Sequence, residues 1–276
     1  MPVASRRQRV GDQREGEDRR ARRAGAVLSG SAALVTGAST GIGRAIALAM
    51  ADAGADVAIT YRSSEAEARD VACEVERRGR RAAVFQLDLA DAAAIPALAA
   101  DVQRALGRVD VWVNNAGADI LTGSGAEAPR LEKLDRLLTV DLRGTILASW
   151  EAARLMREQP HGGVILNMSW DHVVFGMEGR NPQMFSAVKG GVLSFSKSLA
   201  RSVAPKVRVN ILAPGWIETE FGAGLDRARY QRIAESTPLR RWGTPDDVAR
   251  AAVFLASSDA AFLTGQTIFV NGGVVM

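Results

Sequence analysis

From Gly30 onward the chain alternates short apolar runs with longer amphipathic stretches, and this rhythm leaves few architectures open. The runs are Ala32–Thr36, Asp56–Thr60, Ala82–Leu87, Val109–Asn114, Val164–Met168, Val207–Leu212 and Thr267–Val270. Between them lie helix-like segments, among them Gly43–Ala53, Ala66–Arg78, Leu131–Arg157, Phe185–Val203 and Pro245–Ser257. Apolar strands separated by helices predict parallel pairing, with both faces of the sheet covered. Right-handed crossovers then give an α/β, doubly wound sheet. Seven parallel strands are expected in a single domain over residues 31–276, with helices on both faces and no internal repeat.

Residues 1–30 are different. They carry eight Arg against four acids, so the whole formal charge of +4 sits there and the remainder is balanced. Basic charge is thus a property of the tail and gives no indication of a nucleic-acid groove on the domain, so a nucleic-acid partner is not expected. The tail lacks the large apolar residues that would offset the entropy of ordering it, so disorder is expected. An arm for polyanions is the alternative reading. The tail also lacks the apolar core of a secretory signal. No apolar run approaches the ~18–20 residues of a membrane helix. Cys73 is the only cysteine, which excludes an intrachain disulfide. These features predict a cytoplasmic protein without a membrane partner. The two histidines, His161 and His172, have no metal-ligand spacing, so no metal is expected.

The first strand runs into Thr36-Gly37-Ala38-Ser39-Thr40-Gly41-Ile42-Gly43, and a helix follows. Glycines let a backbone turn tightly and approach a pyrophosphate. The helix then directs its N-terminal N–H groups at the anion. A glycine-rich turn between strand and helix is the context that a dinucleotide site requires. At the end of the second strand stands Tyr61-Arg62-Ser63-Ser64 in place of the acidic residue that would bind the ribose hydroxyls of NAD. Arg62 is suited to a 2′-phosphate, and the serines could donate to it. NADP(H) is therefore the favoured cofactor, with NAD(H) as the alternative. Arg44 is a candidate helper.

The glycine spacing resembles that of the short-chain dehydrogenase/reductase family, and further landmarks follow in order. Asn114-Asn115-Ala116-Gly117 ends the fourth strand. Asp88, followed by Leu89, ends the third. Pro214-Gly215-Trp216-Ile217-Glu218-Thr219 follows the sixth, and Arg241–Ala249 and Asn271-Gly272-Gly273 also fit. The resemblance covers residues ~31–276 and implies a Rossmann fold. It places Gly37, Ser39, Thr40, Gly41, Ile42, Gly43, Tyr61, Arg62, Ser63, Asp88, Leu89, Asn115, Ala116, Gly117, Lys189, Pro214, Gly215, Ile217 and Thr219 around the dinucleotide. It also implies a homodimer or homotetramer built on the helices Leu131–Arg157 and Phe185–Val203.

At the catalytic positions the resemblance breaks. The family uses a Tyr and a Lys four residues apart on one helix, with a Ser on a preceding loop and an Asn on an earlier helix. Here Lys189 falls on the Lys, but Phe185 falls on the Tyr, and Phe has no proton to give. The Asn falls on Asp141. Aligning from Val164–Met168 puts Trp170 at the Ser position, whereas counting back from Phe185 reaches His172. The loop therefore carries about two extra residues. The candidate proton carriers are His172, an imidazole of the kind suited to proton transfer, the adjacent Asp171, Lys189 and Asp141. Tyr230 is a distant candidate. Trp170, Met184, Phe185 and Trp216 are expected to wall a pocket for a small, ring-containing substrate. Two functions follow. The first is an NADP(H)-dependent oxidoreductase, a ketone reductase, with a non-standard proton donor. The second is a catalytically silent NADP(H)-binding protein acting as sensor, partner subunit or scaffold.

Overall fold

The computed structural model describes residues 27–276. The expectation of a disordered tail over residues 1–30 falls almost entirely outside them. Seven strands form one parallel sheet in the order β3-β2-β1-β4-β5-β6-β7. In chain order these are β1 (Ala32–Val35), β2 (Asp56–Tyr61), β3 (Ala82–Gln86), β4 (Val111–Asn114), β5 (Gly163–Met168), β6 (Val207–Pro214) and β7 (Thr267–Val270). Strand order reverses between β1 and β4, and such a switch point opens a crevice at the carboxyl ends of the strands. All of β1 and β4 is buried, as strands covered on both faces must be.

The helices are α1 (Gly41–Asp52), α2 (Glu65–Arg77), α3 (Ala94–Leu106), α4 (Gly123–Glu127), α5 (Arg130–Arg136), α6 (Thr145–Glu158), α7 (Arg180–Val203), α8 (Glu220–Ala223), α9 (Arg227–Ser236) and α10 (Pro245–Ala256). Ile46 and Met50 of α1, Val71 and Val75 of α2, and Val248 and Leu255 of α10 cover one face of the sheet. Leu98 and Val102 of α3, Met156 of α6 and Leu199 of α7 cover the other, around Trp112. Local signals set several boundaries. Thr244 and Asp247 form a reciprocal cap at the start of α10, with Pro245 behind it, and Gly107 ends α3 at φ +83°.

One expected helix is interrupted. Leu131–Arg157 reads as a continuous amphipathic stretch, but residues Leu137–Gly144 between α5 and α6 form a π-helical segment. A π turn holds an extra residue per hydrogen-bonded ring and occurs preferentially at functional sites. It carries Asp141, which is buried.

A buried polar network fixes α6 and α7 against the sheet. The Asn114 side-chain amide donates to Ser149 Oγ (3.0 Å) and Asn167 Oδ1 (2.8 Å), and Asn167 Nδ2 donates to Ser196 Oγ (2.8 Å). Satisfied networks of this kind specify one arrangement, because any slip strands a polar group. No helix among the described residues is long and apolar enough to cross a membrane.

Candidate active site

The site is built at the switch point, where the loop after β1 meets the end of β4. Gly37 turns at φ +61°, and a Cβ there would lie 2.9 Å from Ala116 Cα. A Cβ on Gly43 would lie 2.2 Å from the Gly37 carbonyl oxygen and 2.5 Å from Asn115 Nδ2. Neither position accepts a side chain. Asn115 Nδ2 donates to the carbonyls of Thr36 (3.0 Å) and Gly37 (3.1 Å), which pins the loop to β4. The Asn115 side chain is therefore occupied in shaping the cradle.

Helix α1 opens behind this loop at Thr40, an extended N-cap whose side chain makes no capping bond, and its first turn has no acidic residue. Its leading N–H groups and dipole end are thus left for an anion. The bare glycine cradle and this open terminus fit a pyrophosphate. Arg62 is exposed and has no ion pair among the described residues. With Asp88 it lines a polar hollow of about 670 Å³ that also takes in Ala90 and Ala118. Arg44, in contrast, is held by Glu74 at 2.8 Å on α2. Asp88 Oδ1 accepts from Ala90 N (2.9 Å), and Leu89 is buried under Gly144. Gly215 donates its N–H to the Val270 carbonyl, and Ile217 is buried and bridges Gly243. Thr219 Cγ2 lies 4.0 Å from where a Gly41 Cβ would be, so the loop after β6 closes over the glycine turn.

On α7, Lys189 points back to the π segment. Its Nζ pairs with Asp141 Oδ2 at 2.8 Å, and both side chains are buried. Asp141 Oδ1 accepts from Ala118 N at 2.7 Å. A Cβ at Gly117 would meet Asp141 Oδ2 at 2.8 Å, so Gly117 is what admits the carboxylate. Ser169 is buried and donates to the Lys189 carbonyl (2.9 Å), which ties it to the α7 backbone.

A 3₁₀ turn, Asp171–Val173, follows β5. His172 Nδ1 lies 2.7 Å from Asp171 Oδ1. Asp171 is fully buried, and burial pushes its carboxyl up, a shift that the hydrogen bond with His172 only partly offsets. Its Oδ2 sits beside Gly215 and Asn271 without a hydrogen bond of normal geometry among the described residues. Trp170 stacks on His172, ring centroids 5.0 Å apart, and meets the edge of Phe185 at 6.0 Å.

A mostly apolar cleft of about 630 Å³ lies between these loops. Trp170, Phe185 and Trp216 line it, as expected from the sequence. Met184 does not. It is buried with Ile120, Leu137 and Val188 because α7 turns that side inward. His172 is also absent from the wall, since Trp170 covers its ring. The sequence reading missed Met177 and Arg180, which reach the cleft from the loop before α7 and the start of that helix, and Arg229 and Trp242, which reach it from α9 and the loop after it. Tyr230 is committed elsewhere. Its hydroxyl donates to Glu218, its ring stacks on Trp242 at 4.9 Å, and the Glu218 contact raises its pKa.

The family model described as enoyl-(acyl carrier protein) reductase matches residues 37–275. The 3-oxoacyl-[acyl-carrier-protein] reductase FabG of Staphylococcus aureus is 37% identical over 246 residues, which covers 88% of this chain and 98% of that protein. A short chain dehydrogenase from Burkholderia cenocepacia J2315, solved in complex with NADP, superposes with a TM-score of 0.81 at 34% identity, covering 90% of this chain and 98% of that one. A blue fluorescent protein from a metagenomic library, solved with NADPH, gives 0.80 at 33% identity, covering 90% and 99%. With its switch-point cradle, its sheet order and these matches, the chain belongs to the short-chain dehydrogenase/reductase family of oxidoreductases.

Proposed function

We propose that this protein is an NADP(H)-dependent oxidoreductase that reduces a ketone to a secondary alcohol, with His172 as the proton donor in place of the family tyrosine. The observation that carries this reading is the cradle of Gly37, Gly43 and Asn115, a backbone shape that leaves room for phosphates and for no side chain. Residues Ser39, Thr40, Gly41 and Ile42 complete it at the α1 terminus. Arg62 and Ser63 take the 2′-phosphate beside Tyr61. Asp88 and Leu89 border the adenine, and Ala116, Gly117, Pro214, Gly215, Ile217, Thr219 and Lys189 border the nicotinamide half. The complexes of the Burkholderia and metagenomic relatives with NADP and NADPH support this choice.

When bound, the dinucleotide supplies the hydride, and the chain must orient the carbonyl and deliver one proton to its oxygen. Asp171 holds His172 by Nδ1, which leaves Nε2 as the nitrogen that gives the proton. Because Trp170 covers the imidazole, delivery needs a shift of the Trp170 ring or a bridging water. Lys189 is balanced by Asp141 and acts as a fixed anchor on the cofactor side. Association through α6 and α7, where Trp150 stands exposed beside Phe195, gives the homodimer or homotetramer of the reading.

The Lys189–Asp141 pair and Phe185 favour a second reading, in which the cofactor binds but no hydride is transferred. Titration with NADPH and NADH, followed by a carbonyl screen of wild type and His172→Ala, separates the two. Reductase activity lost in the variant, with NADPH affinity retained, supports the first. NADPH binding without turnover of any carbonyl supports the second. Binding of neither cofactor overturns both.

A further inference from the structure

We propose that the cleft selects a flat, apolar substrate that carries an anionic group, and that Arg180 and Arg229 recognise that group. This inference rests on the oxidoreductase reading for the identity of the cleft and adds to it the chemistry of what enters. The body of the cleft is aromatic. Trp170, Phe185, Trp216 and Trp242 all contribute rings, which suits a planar hydrophobic ligand.

The charged lining is sparse and asymmetric. Arg180, the first residue of α7, and Arg229, in the first turn of α9, reach the cavity from opposite segments, and Glu178 is the only carboxylate with them. Neither guanidinium has an ion pair among the described residues, and both side chains are exposed. Several arginines elsewhere on this fold are matched. Arg241 and Arg250 share Asp247, for example, and Arg154 holds Glu151 and Glu158. Two unmatched guanidinium groups beside an apolar wall leave charge-assisted hydrogen bonds to be made, and carboxylates and phosphates are the groups whose geometry fits them. Glu178 alone would favour a cation, but two arginines line the cleft against one glutamate. Both arginines lie outside the cradle and outside the Asp141–Lys189 and Asp171–His172 pairs, so they set what binds and leave the chemistry to other residues.

The test is isothermal titration calorimetry of the full chain with three probes that share one ring system: 2-naphthoate, its neutral amide and 2-naphthylmethylammonium. The expected result is that the carboxylate binds about tenfold or more tightly than the amide, the scale of a charged hydrogen bond. Arg180→Gln and Arg229→Gln should each remove most of that preference while leaving amide binding unchanged. Both side chains are exposed, so folding is preserved. Equal binding of the three probes, preference for the ammonium, absence of carboxylate binding at millimolar concentration, or unaltered preference in both variants would overturn the proposal. NADPH titrated into the same samples reports on the oxidoreductase reading separately. A wild-type chain that shows no carboxylate preference while binding NADPH sinks this inference alone.

Discussion

Lys189 Nζ on α7 and Asp141 Oδ2 in the π segment form a buried ion pair at 2.8 Å. Phe185, one turn earlier on α7, has no ionisable group, and the carboxylate of Asp141 is the negative charge that balances the ammonium. Removing one partner of a buried pair leaves the other uncompensated, which costs about 3–5 kcal/mol. Asp141→Ala should therefore lower unfolding free energy by about that amount in urea titrations. Asp141→Asn, which keeps an acceptor for Ala118 N, should lose less. Wild-type stability in Asp141→Ala would mean that Lys189 is compensated by something else.

A tyrosine placed at residue 185 should not by itself become an acidic phenol. In Phe185→Tyr the new phenol faces a lysine already neutralised by Asp141. In Phe185→Tyr/Asp141→Asn the ammonium is unbalanced and favours the phenolate. The new phenol should thus titrate at lower pH in the double variant than in the single one, read by ultraviolet absorbance against Tyr61 and Tyr230. Identical titration curves would show that the pair does not control this position.

Arg62 should decide between the two cofactors. Its guanidinium has no carboxylate partner among the described residues, and a hydrogen bond to a charged group contributes about 1.5–3 kcal/mol. Arg62→Ala should weaken NADPH binding by roughly 10–100-fold and leave NADH binding nearly unchanged. A parallel loss of both would assign Arg62 to the loop's shape and not to the phosphate.

Gly43→Ala tests the cradle directly. The added methyl would sit 2.2 Å from the Gly37 carbonyl oxygen, against backbone that cannot swing aside. Overpacking of this kind costs about 1–3 kcal/mol. A lower melting temperature together with loss of NADPH binding is expected. Gly190→Ala, where a Cβ meets nothing within 4 Å, serves as the control.

Asp171 gives a pH signature. Burial raises its carboxyl pKa in the folded state, so its contribution to stability is full below the unfolded value and is lost as pH rises through the folded one. Asp171→Asn removes that dependence. The melting temperature of the variant minus that of wild type should therefore be more positive at pH 7 than at pH 4. A difference that falls with pH would mean that the contact with His172 outweighs the burial.

The sheet and the cradle were legible in the sequence because both are local. Apolar runs such as Val164–Met168 report burial on two faces, and the glycines of the β1–α1 turn report backbone shape within eight residues. The active-site wall was less legible. Arg180 reaches it from one segment and Arg229 and Trp242 from another some fifty residues on, and periodicity does not say which loop ends converge. Met184 and Phe185 are neighbours on α7, yet one enters the core and the other the cleft, a choice fixed by the packing of Ile120 and Leu137. The π segment was invisible for a similar reason. Its hydrophobic spacing still reads as helical, and only the burial of Asp141 against Lys189 and Ala118 marks the extra residue in the turn.

The bolt between Asn115 and the glycine loop has a consequence for how such a chain can change over time. The nucleotide seat is welded to the central strands, so substitutions that damage it also damage folding and are removed on that ground alone. Position 185 on α7 carries no such insurance, because the Phe185 ring lines the cleft and takes no part in that bolt. Chemistry in this architecture is free to drift while the seat stays put, and a working cradle is therefore a record of foldedness before it is a record of catalysis.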